Sequence, residues 1–449
     1  MAENEYDLYD AALLAGGGLG AADLNEPGRH PELAERGFSY LHRPLLFGQA
    51  ETERFERDLL TVTGLLTELP GRVFGGDVEL TCRELGIDPA KADLIGAFSR
   101  RPVPSFGRID AYHDGGSLKI LEFNATSAAG GQEWVSVLGR AYREYTSFSR
   151  FAAARGLYTY DTVRLLAESL RKAHAEAGGT GDPTIALVEG EGGLSKYGRA
   201  WHPLHRQLLE LGLNCHVCEI QDLHIKPGRI SVNGSRVDIL YRVYGLGQAL
   251  ETPRIRELAG QVARAHEDGD VTLWTPYETE VHRNKRWLAR LSDRGLGAGL
   301  SQAEQSAVDR VLPWTRELTG RVRAEEPELW QRFLAEQREL VIKPGDGFGG
   351  QGITFGWQVD ADRWAAALTE CAAIGGVVQR RVNPRVERIV DPATGTPREW
   401  EACWGLFWLP GGFAGGGARL VPHGSPADAD RASKRMAGLY ILPESEARR

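Results

Sequence analysis

The spacing of apolar residues divides the chain into a helical beginning, an alternating middle and a last third rich in strands. Over residues 49–69 apolar residues recur at steps of three and four, which predicts an amphipathic helix that Pro70 should end. Between residues 160 and 276 short apolar runs alternate with helical stretches, a pattern typical of an open, mostly parallel sheet. We therefore expect a mixed α/β protein whose last third adds further strands, at 339–344, 376–382 and 399–408.

These changes of pattern also indicate where the chain divides. A length of 449 residues is too great for one ordinary core and suggests about two to three domains. The predicted regions are a mostly helical region at 1–100, a hairpin with a following helix at 101–150, an α/β subdomain at 160–276, a glycine-loop region at 280–425 and a polar tail at 426–449.

Composition and charge exclude several classes of partner. The chain is 42% hydrophobic and 25% charged, as soluble globular proteins are. A net charge of −8 gives no electrostatic basis for binding nucleic acid or an anionic membrane. The acidic N-terminus lacks the plan of a signal peptide, and no apolar run reaches the roughly 18 residues that span a bilayer. We expect a cytoplasmic protein with neither nucleic acid nor membrane as a partner.

The five cysteines are also consistent with a cytoplasmic protein. Their odd number and wide spacing argue against a disulfide framework and fit a reducing cytosol. Cys215 and Cys218 form a Cys-x-x-Cys pair, which in other contexts binds zinc or carries out redox chemistry. Here a second ligand pair is missing and the surrounding sequence predicts a strand, so we expect structural cysteines.

The first candidate site lies in residues 107–124, where an Asp-Gly-Gly turn between two apolar runs predicts a β-hairpin. Glu122 and Asn124 stand two apart on one strand, so their side chains leave the same face, and pairing brings Asp110 close to them. With Arg108 alongside, these oxygen donors suit Mg²⁺, which keeps waters and shares substrate phosphates. Taken alone, the same residues could be ordinary hairpin-end residues or an ion pair.

The second candidate site is a glycine-rich loop at 345–352 that follows a strand carrying Lys343. It is not a Walker A loop, because no Gly-Lys-Ser/Thr follows, and strand sequence after it excludes the dinucleotide-binding fingerprint. A loop between two strands can lay N–H groups over a triphosphate while the lysine meets phosphate oxygens. It could also be a simple hairpin turn.

The order of the elements that follow resembles that of the ATP-grasp superfamily. After the lysine strand and the glycine loop come a helix, a hinge strand at 376–382 and a strand that carries Arg398-Glu399. In most of that superfamily an Arg-x-Asp strand and a Glu-x-Asn strand come next. In this chain both motifs instead stand early, in the hairpin.

This permuted order resembles the circularly permuted ATP-grasp enzymes, specifically the synthetase domain of the glutathionylspermidine synthase family. Asn284-Lys285 at a helix start and the segment 418–423, Ala-Arg-Leu-Val-Pro-His, match two further motifs of that family. The resemblance implies an ATP-grasp fold in circularly permuted order. It would include an open α/β (pre-ATP-grasp-like) subdomain and an N-terminal helical region.

The resemblance also implies roles for individual residues. Asp110, Glu122 and Asn124 would hold one or two Mg²⁺ ions, and Arg108 would stabilise the transferring phosphoryl group. The residues expected to contact ATP are Lys285, Lys343, Gly345, Gly347, Gly349, Gly350, Gln351, Gly352, Gln379 and Val382.

The implied activity is that of an ATP-dependent carboxylate–amine ligase. A carboxylate attacks the γ-phosphate to give an acyl phosphate, and an amine then displaces phosphate to leave an amide, ADP and phosphate. Both substrates should be small molecules, namely an amino acid or peptide acid and an amine or amino acid. Two alternatives stay open, an ATP-grasp-type small-molecule kinase and an ATP-binding protein without turnover. The complete set of Asp110, Glu122 and Asn124 argues against the second.

Overall fold

The computed structural model describes residues 8–10, 24–26, 28–35, 37–96, 101, 105–294, 299–347, 349–391, 394, 396–425 and 432–444. Within them four sheets are surrounded by helices, so the predicted mixed α/β class is confirmed. The α-helices are Pro31–Ala34, Gln49–Phe74, Val78–Leu85, Pro89–Ile95, Gln132–Glu144, Thr146–Arg155, Thr162–Glu176, Gly193–Glu210, Leu246–Ala249, Pro253–Glu267, Thr279–His282, Arg286–Ser292, Gln302–Val311, Gly320–Glu325, Pro327–Ala335 and Ala361–Ile374.

The long helix Gln49–Phe74 corrects one expectation, because it runs through Pro70 instead of ending there. A proline removes a single N–H donor, and this one lies close to the helix end, where that loss disturbs little of the helix. The helix ends where Gly75 adopts a left-handed conformation, φ 65°, and its N–H bonds to the carbonyl of Gly71.

The largest of the four sheets has eight strands, and we call it the central sheet. Its hydrogen-bonded order is Ser39–Tyr40, Arg435–Leu442, Gly412–Pro422, Thr396–Leu409, Gly107–His113 and Leu118–Asn124, with Leu45–Gly48 on the second of these strands and Val386–Asp391 on the fourth. Gly107–His113 and Leu118–Asn124 form the expected antiparallel hairpin. The aromatic positions Trp400, Trp404 and Trp408 are at most 2% exposed, as expected for core packing.

The C-terminal strand of this sheet corrects another expectation. We predicted a polar tail at 426–449, of which 426–431 and 445–449 lie outside the described residues, yet Arg435–Leu442 pairs with strands on both sides. It lies antiparallel to Gly412–Pro422 and parallel to Leu45–Gly48, so a strand from near each end of the chain meets in one sheet. The apolar run that forms this strand is short and has polar flanks, so its partners, which are distant in sequence, determine its structure.

Residues 184–274 build the predicted open sheet. Every neighbouring pair in it is parallel, and the order is Thr272–Trp274, Ile239–Arg242, Thr184–Glu189 and Asn214–Glu219. Cys215 and Cys218 lie in the last of these strands, are 5% and 3% exposed, and are free thiols. A small sheet of His224–Lys226, Arg229–Val232 and Ser235–Arg236 is appended to this region.

A further antiparallel sheet carries Lys343, and we call it the Lys343 sheet. Its order is Thr315–Leu318, Gly376–Arg380, Leu340–Pro344 and Thr354–Phe355. The glycine loop connects the last two strands in that order, and helix Ala361–Ile374 leads from there to Gly376–Arg380. Within the described ranges, no helix is both long enough and apolar enough to cross a membrane.

Replacing Ile441 tests whether the C-terminal strand is part of the core. This side chain is fully buried, so Ile441→Ala is expected to lower the free energy of unfolding by roughly 2–5 kcal/mol. Urea unfolding followed by circular dichroism measures the change. Leu209→Ala, at a side chain that is 46% exposed, is the control and should change stability far less. Equal, small effects of both substitutions would show that the strand does not contribute to the core.

Candidate functional site

The hairpin places four polar side chains on one face of the central sheet. Asp110 lies directly opposite Glu122, and Arg108 lies opposite Asn124. Residues directly opposite in an antiparallel pair point to the same side, as do residues two apart on one strand. The sheet register therefore gathers the predicted arginine and the three predicted metal ligands.

Arg108 is fixed in place on that face. Its Nε donates to Oδ1 of Asp110 at 2.9 Å. Its Nη1 donates to the carbonyl oxygens of Ala129 at 3.0 Å and Gly130 at 3.2 Å. The turn that follows the hairpin thus sets the orientation of the guanidinium group.

A second arginine, which sequence reasoning did not assign to the site, completes the surroundings of Asp110. Arg419 donates from Nη2 to Oδ2 of Asp110 at 3.0 Å. Burial would raise the pKa of Asp110, but the charges of Arg108 and Arg419 outweigh it and hold the pKa below its ordinary value. Asp110 is therefore an ionised carboxylate. The one available signal was that Arg419 is the sole arginine of the 418–423 segment.

Lys285 connects the hairpin face to the glycine loop. Its Nζ lies 3.3 Å from Oε2 of Glu122 and donates to the carbonyl of Gly347 at 2.6 Å. Oε1 of Glu122 also accepts a long hydrogen bond, 3.4 Å, from the amide of Asn124. Lys285 is thus a direct physical link between the two candidate sites.

Lys343 reaches the same place from the Lys343 sheet. Its Nζ donates to the carbonyl of Leu121 at 3.0 Å and to Oε1 of Gln379 at 2.7 Å. Gln379 is 2% exposed, and its Nε2 donates to Thr315 at 3.2 Å, which turns its oxygen toward the lysine. Burial lowers the pKa of Lys343 to about 8, although the nearby carboxylate of Glu122 opposes that shift.

The glycine loop is shaped by its backbone. The carbonyl of Gly345 accepts from the N–H of Lys285 at 3.0 Å, and its own N–H donates to Gly375 at 3.1 Å. Three of the predicted loop residues have left-handed φ values of 66° to 80°, which favour glycine. These three are Gly349, Gly350 and Gly352.

The remaining predicted residues have less defined contacts. Gln351 is exposed at the tip of the loop, while Phe348 lies outside the described residues. Val382 is half-buried past the end of Gly376–Arg380, on the segment that leads to Val386–Asp391.

Asp346 anchors the loop through a chain of charged side chains. Lys91 Nζ lies 2.6 Å from its carboxylate and Arg283 Nη2 lies 2.8 Å away. Arg283 also pairs with Glu280 at 2.6 Å, and Glu280 lies 3.6 Å from the fully buried Arg242. The pairing of opposite charges at each step stabilises groups that would be costly to bury alone.

That chain continues to the turn that orients Arg108. Arg242 Nε donates to the carbonyl of Thr275 at 2.9 Å. Thr275 is fully buried with φ 56°, a strained conformation for a β-branched residue, and its hydroxyl bonds to that of Ser127. Ser127 begins the short 3₁₀ helix that ends at Ala129. A contiguous polar network therefore links the glycine loop to Arg108.

The hairpin face offers oxygen donors to a divalent cation. Within the described residues, no group of three or more His, Cys, Asp or Glu side chains could hold a metal ion. Asp110 and Glu122 supply two carboxylates, and Asn124 adds an amide oxygen. Mg²⁺ characteristically binds one or two carboxylates plus substrate phosphates and water. The residues therefore fit an ion that arrives with a triphosphate, and not a cage built of protein ligands alone.

Comparisons with known proteins support the fold. No protein-family model and no curated protein matches the sequence. Among solved structures, a glutathione synthetase-like effector from Globodera pallida, in its apo form, has 14% sequence identity, a TM-score of 0.59 and coverage of 98% of this chain and 96% of that chain. A putative γ-glutamylcysteine synthetase from Methylobacillus flagellatus is 14% identical, with a TM-score of 0.43 over 83% of this chain and 84% of that chain.

The first of these similarities establishes the kind of fold. The chain has a mixed α/β architecture, and its fold is similar to that of the glutathione synthetase-like effector. The second similarity has a score below 0.5 and adds no argument. The permuted order and the resemblance to glutathionylspermidine synthase stay predictions.

The ionisation of Lys343 can be measured directly. We expect its ammonium group to titrate near pH 8, far below an ordinary lysine, because burial penalises the charged form. Nuclear magnetic resonance of ¹³Cε-labelled lysine gives the titration, and Lys343→Arg identifies the signal by its disappearance. Glu122→Gln should lower the pKa of Lys343 further, since it removes a carboxylate that favours the ammonium form. A Lys343 signal that titrates at pH 10 or above would contradict the described environment.

Proposed function

We propose that this protein is an ATP-dependent carboxylate–amine ligase that forms an amide bond through an acyl phosphate and releases ADP and phosphate. One observation carries the proposal: the two candidate sites are in contact. Lys285 joins Glu122 of the hairpin to Gly347 of the loop, and Lys343 bonds to Leu121 across 222 positions of sequence. Neither site alone makes a phosphoryl-transfer centre, but together they hold the required charges.

In this proposal the substrate Mg·ATP lies between the hairpin face and the glycine loop. Asp110, Glu122 and Asn124 would hold the ion, which would neutralise charge on the phosphates. Lys285, Lys343 and the backbone N–H groups of the loop bind phosphate oxygens. Gln379 orients Lys343, and Val382 is a predicted neighbour of the adenine.

The charges of the site also match that substrate. Glu122 pairs with Lys285, and Asp110 pairs with two arginines, so carboxylates and cations neutralise each other. Mg·ATP offers a cation to the carboxylates and phosphates to the lysine and arginines. Binding therefore exchanges one set of ion pairs for another, and no buried charge is left without a partner.

The reaction then has two displacements. An oxygen of the substrate carboxylate attacks the γ-phosphorus, and ADP leaves with the electron pair of the broken P–O bond. Arg108 stabilises the charge of the transferring phosphoryl group. The amine next attacks the acyl carbon and loses a proton, while phosphate leaves with the electrons of the C–O bond. The glycine loop excludes water from the acyl phosphate.

The direct test combines the protein with ATP, Mg²⁺, pools of acids and amines, and hydroxylamine, which traps acyl phosphates. ADP release with an amide or a hydroxamate supports the ligase. A stable phosphorylated product would instead show that the protein is a small-molecule kinase. An absence of ADP formation with every pool would overturn the proposal.

Glu122→Ala is expected to abolish turnover while the protein stays folded. The substitution removes a predicted metal ligand and the partner of Lys285, so we expect a loss of roughly a hundredfold or more in ADP formation. Circular dichroism and thermal unfolding verify the fold. Glu370→Ala, on the exposed face of helix Ala361–Ile374, is the control. ADP formation by Glu122→Ala at the wild-type rate would contradict the assignment of Glu122 as a metal ligand.

ATP affinity should depend on the ionisation of Lys343. A neutral amine attracts phosphate weakly, and the pKa of Lys343 is lowered to about 8. The dissociation constant for Mg·ATP should therefore rise between pH 7 and pH 9.5. Calorimetry on the wild type and on Lys343→Met, which cannot titrate at this position, measures the effect. The same rise in both proteins would show that Lys343 does not bind phosphate.

A further inference from the structure

A pocket of about 150 Å³ opens beside Asp110 on the same face of the central sheet. Its floor lies where Gly405 and Gly417 face each other on neighbouring strands, without side chains that would fill it. A Cβ atom on Gly417 would come within 2.5 Å of the Trp134 ring. The two glycines therefore make room for both the pocket and the ring that lines it.

The lining of the pocket combines apolar walls with a cationic end. Trp134, Phe407 and Met436 contribute apolar surface. Arg108 and Arg419, the two arginines bound to Asp110, contribute the charge. No acidic side chain belongs to the lining. Such a combination suits an anion that carries an apolar group.

Arg419 has donors to offer to that anion. Its Nη2 bonds to Asp110 and contacts the sulfur of Cys403 at 3.8 Å. Its Nε and Nη1 have no hydrogen-bond partner among the described residues, and its side chain is 47% exposed. Nε and Nη1 point to different sides of the guanidinium group, so each can donate a single charge-assisted hydrogen bond to a carboxylate oxygen.

The size of the pocket restricts the apolar group. A cavity of about 150 Å³ in another protein holds a molecule the size of benzene, while sites for larger ligands begin at about 300 Å³. This pocket has room for one ring or one short branched chain. None of the lining residues carries a carboxylate, and Asp110 beside the pocket is already paired with Arg108 and Arg419, so these arginines would repel an ammonium group in the pocket.

We propose that this pocket binds the acid substrate, and that the acid is a small monocarboxylate with one compact apolar or aromatic group and no ammonium group beside the carboxylate. The inference rests on the proposed function and narrows its acid, which the sequence left as an amino acid or a peptide acid. Arg419 and Arg108 hold the carboxylate at the end of the pocket nearest Asp110. There one of its oxygens attacks the γ-phosphorus of ATP, and ADP leaves with the bonding electrons.

Calorimetry tests the pocket without turnover. 3-Phenylpropanoate and 3-methylbutanoate are titrated into the protein in the presence of Mg·ADP, and phenylalanine, leucine and glutathione are titrated in parallel. The first two acids should bind at least tenfold more tightly than the other three. Equal or tighter binding of phenylalanine, leucine or glutathione overturns the proposal, as does the absence of binding by both small acids.

Variants locate the binding site. Arg419→Gln should weaken the binding of 3-phenylpropanoate at least tenfold. Trp134→Leu should weaken the binding of 3-phenylpropanoate more than it weakens the binding of 3-methylbutanoate. Arg363→Gln, at a similarly exposed arginine on helix Ala361–Ile374, should bind both acids like the wild type. If Trp134→Leu does not fold, Gly405→Ala tests the floor, because its Cβ would lie 3.2 Å from Arg108 Cδ. Unchanged affinity in the folded pocket variants overturns the proposal.

The hydroxylamine assay separates this inference from the proposed function. Hydroxamate formation from peptide acids or amino acids but not from the two small acids would support the ligase function. The same result would overturn the assignment of the pocket to a small monocarboxylate. If no acid yields ADP or hydroxamate, the ligase fails, and the calorimetric result still decides what the pocket binds.

Discussion

The whole candidate site depends on how the hairpin at 107–124 pairs with strand Thr396–Leu409 of the central sheet. In that register Asp110 lies between Glu122 on one side and Gly405 on the other. A slip by one residue would turn every functional side chain of a strand to the opposite face. The register is well determined, because Ile109 and Phe123 pair on the buried face of the same hairpin. Hydrophobic packing on one face thus places the charges on the other.

The burial of those charges explains why so many of them are paired. Lys343 is 6% exposed and Lys285 equally buried, and each is held by oxygen acceptors from the hairpin or the loop. Asp346 fastens the loop to Arg283, and the polar network beyond it ends at the turn that orients Arg108. The strained backbone of Thr275 lies within this network and is stabilised by its surroundings. Loop position and arginine orientation are therefore physically connected.

The sequence predicted those parts of the fold and site that have strong local signals. The hairpin was identified by its Asp-Gly-Gly turn, and strand Thr184–Glu189 by its apolar run. Predictions failed or were lacking where distant partners decide the structure. Strand Arg435–Leu442 depends on partners from near the other end of the chain. Arg419 meets Asp110 only because a strand of glycine-rich sequence lies in a particular register.

Gln379 illustrates the same limit. The resemblance implied a nucleotide contact, which stays a prediction, and the structure adds that the side chain is buried between Lys343 and Thr315. That position follows from the antiparallel order of the Lys343 sheet, in which Thr315 lies directly opposite Gln379. The sequence around Gln379 does not predict these partners, because Thr315 and Lys343 lie on two other strands.

The most direct measurement of the central claim follows an oxygen atom. The acid substrate is labelled with ¹⁸O in its carboxylate and incubated with the protein, Mg·ATP and an amine, and the released phosphate is analysed by mass spectrometry. An acyl-phosphate ligase transfers one labelled oxygen from the acid to each phosphate formed. Amide formation with unlabelled phosphate, or phosphate release without loss of label from the acid, would contradict the account.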